Sequence, residues 1–99
     1  MRLRGKLSEL LEKGDIYYKA LYCYDSTDEV ELIAYNDSRD GIIKDIKDYI
    51  DDIEDMEGDY IFVYKKEYIS KEDGAKTLKS YTFEYGRLEL YKDYTKEAK

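Results

Sequence analysis

Between residues 42 and 56 the apolar side chains fall three and four apart, while on either side of that stretch they alternate. This switch of period is the strongest constraint the chain carries. A period near 3.6 demands a helix and a period of two demands a strand, so the helix must be set between strands. Ile42, Ile43, Ile46, Tyr49, Ile50, Ile53 and Met56 cover an arc of about 140° at about 100° per residue, one amphipathic stripe. In NDSRDG, residues 36–41, Asp37 or Ser38 supplies an N-cap, and Asp40 suits the positive end of the helix dipole. Gly58 ends the run.

The flanking segments read as strands. In DIYYKALYCY, residues 15–24, Tyr17, Leu21 and Cys23 fall on one side and Ile16, Tyr18, Ala20, Tyr22 and Tyr24 on the other. Both sides are apolar enough for a strand partly covered on each face. After a polar turn at residues 25–28, Val30, Leu32 and Ala34 alternate with Glu31, Ile33 and Tyr35, which predicts an antiparallel hairpin. Tyr60, Phe62 and Tyr64 alternate with Ile61 and Val63, and Tyr81, Phe83 and Tyr85 share one side of a further strand. Leu88, Leu90, Tyr91 and Tyr94 suggest another, with Gly86 either a hairpin turn or a bulge. At the start, Leu3, Leu7, Leu10 and Leu11 recur at helical spacing before Gly14.

The expected fold is therefore α+β in one domain over residues 1–99, with a polar tail at 95–99 that frays. An N-terminal helix precedes a β-hairpin and a long amphipathic acidic helix. Two or three antiparallel strands follow and complete one sheet, with the long helix packed on a face.

The residue inventory removes several functions. There is no histidine, so serine–histidine and cysteine–histidine catalysis are excluded. A single cysteine, Cys23, forms no internal disulfide and no multi-cysteine zinc site. Inside an apolar strand it reads as a small hydrophobe. No apolar run approaches a membrane span, and MRLRGKLSELLEKG breaks its apolar positions with charge where a signal peptide needs a continuous core. A cytoplasmic protein is expected, in a host cell's cytoplasm if the source is a phage. The net charge of −7 opposes direct contact with nucleic acid and suits a basic surface on another protein.

Three motifs invite chemistry. DDIED, residues 51–55, is similar to the Asp-Asp-x-x-Asp string of isoprenoid synthases, which holds magnesium and diphosphate, but those are large all-helical folds. In a chain this acidic, chance and a solvated helix face explain it better. NDSRDG matches the opening offsets of a calcium loop at Asn36, Ser38, Asp40 and Gly41, yet the twelfth position is Lys47 instead of glutamate. A helix cap explains those residues. There is no glycine-rich phosphate loop, and no cofactor, metal or catalytic residue is expected.

The acids themselves are unevenly placed. Residues 37–59 hold ten acidic side chains against three basic ones, a balance of −7, and the remainder of the chain sums to zero. Asp45, Asp48, Asp52 and Asp55 form a stripe beside the isoleucines, Asp51 widens it and Asp59 continues it past the glycine. Carboxylates so spaced lie about 5–6 Å apart, comparable to phosphates along a nucleic-acid strand. The bland account is a solvated face. Thirteen tyrosines exceed what a small core holds, so some of Tyr64, Tyr68, Tyr85, Tyr91 and Tyr94 should be exposed, as a patch or scattered.

These features predict a non-enzymatic binding protein. Asp45, Asp48, Asp51, Asp52, Glu54, Asp55 and Asp59 would dock on the basic groove of a larger protein, with Tyr64 and Tyr68 as anchors. If that groove holds nucleic acid, the chain is a nucleic-acid mimic. In size, acidity and lack of catalytic residues it resembles, in general character only, phage and mobile-element inhibitors of host defence such as anti-CRISPR and anti-restriction proteins. Two alternatives remain. One is a sponge for signalling nucleotides, stacking bases on tyrosines between subunits of a homodimer, with Lys65, Lys66, Lys71, Lys76 and Lys79 as its basic surface. The other is a toxin-immunity-type partner.

Overall fold

The computed structural model describes residues 11–25, 27, 29–51 and 58–96. Its body is one antiparallel sheet of five strands: β1 (Ile16–Cys23), β2 (Val30–Asn36), β3 (Tyr60–Ser70), β4 (Gly74–Glu84) and β5 (Arg87–Asp93), in the order β2-β1-β3-β4-β5. A single helix, α1 (Arg39–Ile50), connects β2 to β3, and a short 3-10 turn (Tyr94–Lys96) follows β5. Since β2 and β3 both pair antiparallel with β1, α1 crosses over β1 between two strands that run the same way. The helix rests on β1 and β2.

This corrects the expected architecture. The sheet dominates, and its helix is 12 residues long, with Asp51 as its C-cap. Ile53 and Met56, the last members of the expected stripe, lie outside the described residues. Charge and burial explain the early close. Only Ile42, Asp45 and Ile46 of α1 are buried, and acids accumulate after them at the negative end of the helix dipole, where carboxylates destabilise. Of the expected N-terminal helix, residues 1–10 lie outside the described residues. Residues 11–13 are not helical: Leu11 packs beside Tyr17 and Tyr68, and the Gly14 amide donates to the Tyr68 carbonyl at 2.9 Å.

The core lies between α1 and the sheet. Ala20, Ile42, Ile46, Ile61 and Val63 are essentially inaccessible to solvent, and Tyr18, Tyr22, Tyr81 and Leu88 complete the cluster. Burying Ile42 and Ile46 contributes about 1.5–3 kcal/mol each. In β2 the alternation breaks. Ala34 pairs with Ala20 and Leu32 with Leu21, so Ile33 is an extra residue and joins Ala34 in the core. Tyr85 and Gly86 form a two-residue hairpin between β4 and β5, both with positive φ (54° and 79°), so Gly86 belongs to a turn.

The opposite face is laid out in rows by the strand register. Val30, Cys23 and Tyr60 form one row, Leu32, Leu21, Phe62 and Thr82 the next, then Tyr35, Lys19, Tyr64, Ser80 and Lys92, then Tyr17 and Lys66. Among the described residues no helix lies on this face.

Candidate functional site

The expected docking stripe is not presented as a unit. Asp45 faces inward: it is buried, and its Oδ2 accepts from Asn36 Nδ2 at 3.0 Å. Asn36, itself buried, also accepts the Ser38 amide on Oδ1 at 3.1 Å, while Ser38 Oγ caps the helix by accepting from the Gly41 amide at 2.9 Å. Asp45 thus anchors the start of α1 to the end of β2. Asp59 is likewise committed to the fold, accepting the Asp25 amide and the Tyr22 hydroxyl, each at 2.7 Å. Those two donors, the amide foremost, hold its carboxyl below the usual aspartate range.

Asp48 and Asp51 are exposed on the outer side of the helix, as are Asp37 and Asp40 before and within its first turn. Asp48 meets Lys44 at 3.1 Å one turn earlier, an exposed pair worth a few tenths of a kcal/mol. Asp52, Glu54 and Asp55 lie outside the described residues.

A second acid network joins helix to sheet. Glu31 Oε1 accepts the hydroxyls of Tyr24 (2.7 Å) and Tyr49 (3.0 Å). These bonds lower the Glu31 carboxyl, and the same carboxylate pushes the Tyr24 phenol upward, chiefly through the hydrogen bond. On the far side of the helix layer, Arg39 stacks 5.2 Å from the Tyr81 ring centroid and donates to the Leu88 carbonyl at 3.2 Å.

The tyrosines divide in an order the sequence did not disclose. Tyr68, expected as an anchor, is buried against Tyr17. Tyr64 is half-buried on the face without the helix, where it stacks on Phe62 at 6.0 Å. Phe62 also contacts Tyr60 at 5.7 Å and Tyr91 at 5.2 Å. Tyr60 and Tyr91 are 51% and 66% exposed, Val30 and Leu32 55% and 46%. The aromatic patch therefore centres on Phe62, which alternation alone could not place because both sides of β3 are apolar. Cys23 lies half-buried in the first row of this face, and burial pushes its thiol upward, away from reactivity. With Tyr24, Asp25, Thr27, Glu29, Val30 and Tyr60 it lines a shallow open cavity of about 220 Å³.

The expected basic surface does not assemble. Lys65 and Lys79 are paired in register on the helix side of the sheet, Lys66 lies on the other side, Lys76 meets Glu67 at 3.7 Å, and Lys71 stands in the β3–β4 turn. Among the described residues, no three acidic or cysteine side chains cluster to hold a metal ion, and no helix is long and apolar enough to cross a membrane.

Fold and site together define a small antiparallel-sheet protein with one helix on one face and an aromatic patch on the other. No protein family model, no curated protein and no solved structure matches this chain.

Proposed function

We propose that the protein is a non-enzymatic binding protein that docks the outer surface of α1, and the acid-rich segment after it, on a basic surface of a larger protein. The observation that carries this reading is the position of Asp48 and Asp51. Both are exposed at the C-terminal end of α1, where a carboxylate opposes the helix dipole. Folding gains nothing from them, and the sequence adds Asp52, Glu54, Asp55 and Glu57 directly beyond. A charge distribution that costs stability and serves no internal contact suits an external cation. Asp45 and Asp59 belong to the fold and not to this surface.

The test is capture of a partner from cell lysate, compared across variants. Reversing Asp48, Asp51, Asp52 and Asp55 to lysine is expected to abolish capture, while Asp45→Asn leaves it unchanged in the folded fraction. Capture of the same protein should weaken steeply with added salt. A partner retained by the fourfold reversal, or indifferent to salt, would refute the reading.

A further inference from the structure

We propose that the aromatic face of the sheet, opposite α1, is a homodimer interface in which two copies pack face to face about a twofold axis passing through the row of Phe62. This surface is separate from the acidic one and does not depend on it.

A sheet that leaves one face to water ordinarily makes that face polar. Here the two rows at one end hold Val30, Leu32, Phe62 and Tyr60, with Tyr91 stacked beside them. The dimensions suffice for a partner sheet. Five strands about 4.8 Å apart and about 23 Å long make a face of roughly 550 Å². Two such faces bury about 1,100 Å², just above the size expected of a specific interface.

The charges select a second copy as the occupant. The face is polarised along its strands. Lys19 and Lys66 are diagonal neighbours at one end, in the rows of Tyr64 and Tyr17. Among the described residues neither makes an ion pair, and burial, then the nearby Lys19, depresses the Lys66 ammonium. Asp25 and Glu29 stand at the other end, around the cavity shared with Cys23 and Tyr60, and neither carboxylate has an ion-pair partner among the described residues. A twofold axis perpendicular to the strands reverses the rows. It lays the lysine end of each copy over the acidic end of the other and brings the two Phe62 side chains together at the centre. Each unpaired charge then meets its opposite, and the match occurs twice, as an isologous contact requires.

Sedimentation and light scattering on the full chain test this directly. The wild-type chain is expected to run at twice the monomer mass at micromolar concentration, and Phe62→Glu at the monomer mass with unchanged circular dichroism. Asp25→Lys and Lys66→Glu should each weaken self-association by roughly tenfold or more. An equimolar mixture of those two variants should restore it, because lysine 66 of one then faces Asp25 of the other and lysine 25 faces glutamate 66. A monomeric wild type overturns the proposal, as does a Phe62→Glu dimer or a folded pair of charge variants that fails to recombine. If the wild type is monomeric and deleting residues 1–10 makes it dimerise, the chain's own start occupies the face, which also overturns it.

Discussion

Asn36 and Gly41 show how a single residue positions the helix. A β-carbon at position 41 would stand 2.2 Å from Asn36 Oδ1, so the absence of a side chain there is what lets Asn36 reach both Ser38 and Asp45. Glycine to alanine inside a helix usually gains up to about 1 kcal/mol. At this position the sign reverses. Gly41→Ala displaces Asn36 and strands a buried amide and carboxylate, so it should cost about 1–3 kcal/mol in urea denaturation. An alanine variant as stable as the parent would show that the Asn36–Asp45 contact does not organise the helix start. Tyr85 offers the opposite case. It holds φ of 54° at the tip of the β4–β5 hairpin and is 96% exposed, so its ring gains little while its backbone is strained. Tyr85→Asn should stabilise by about 0.5–1 kcal/mol, seen as a melting temperature higher by roughly 2–8 °C.

At the scale of elements, what could be read in the sequence depended on whether alternation was clean. The two sides of β1 were legible because Ala20 and Tyr22 differ in parity from Leu21 and Cys23, and the register confirms the split. The bulge in β2 was not, since Ile33 and Ala34 are both apolar and an extra residue leaves no trace in such a pair. The start of α1 was legible in Ser38 and Asp40, which cap it and face its dipole as short-range chemistry requires. Its end was not, because the apolar period continues past the point where the sheet supplies burial. Among the acids, sequence spacing placed Asp45 and Asp48 on one stripe. The contact that separates them, Asn36 to Asp45, is tertiary and invisible to periodicity. The same limit hid the Phe62 patch, because which side of β3 receives the helix is decided by the crossover from β2.

For the molecule as a whole, two electrostatic effects of opposite sign set the response to acid. The excess negative charge is concentrated in residues 37–59, so lowering the pH from neutral first relieves repulsion there and stabilises the fold. Glu31 and Asp59 act the other way. Their carboxyls are held below their ordinary values, Glu31 by the Tyr24 and then the Tyr49 hydroxyl, Asp59 by the Asp25 amide and then the Tyr22 hydroxyl. A group depressed in the folded state contributes stability that is fully present above its unfolded value, about pH 4, and is lost as the pH falls through the folded value. Stability should therefore peak on the acid side of neutral and fall below about pH 4. Salt discriminates between the two limbs. It should flatten the rise between neutrality and the maximum, which arises from exposed charges, and leave the acid fall, which arises from direct hydrogen bonds. Replacing Glu31 by Gln together with Asp59 by Asn should lower stability at neutral pH and make the acid fall shallower. Urea denaturation across the pH range at low and high salt measures both limbs. An acid limb of unchanged slope in the double variant would mean that other carboxylates, and not these two anchors, hold the helix layer and the β1–β3 end together.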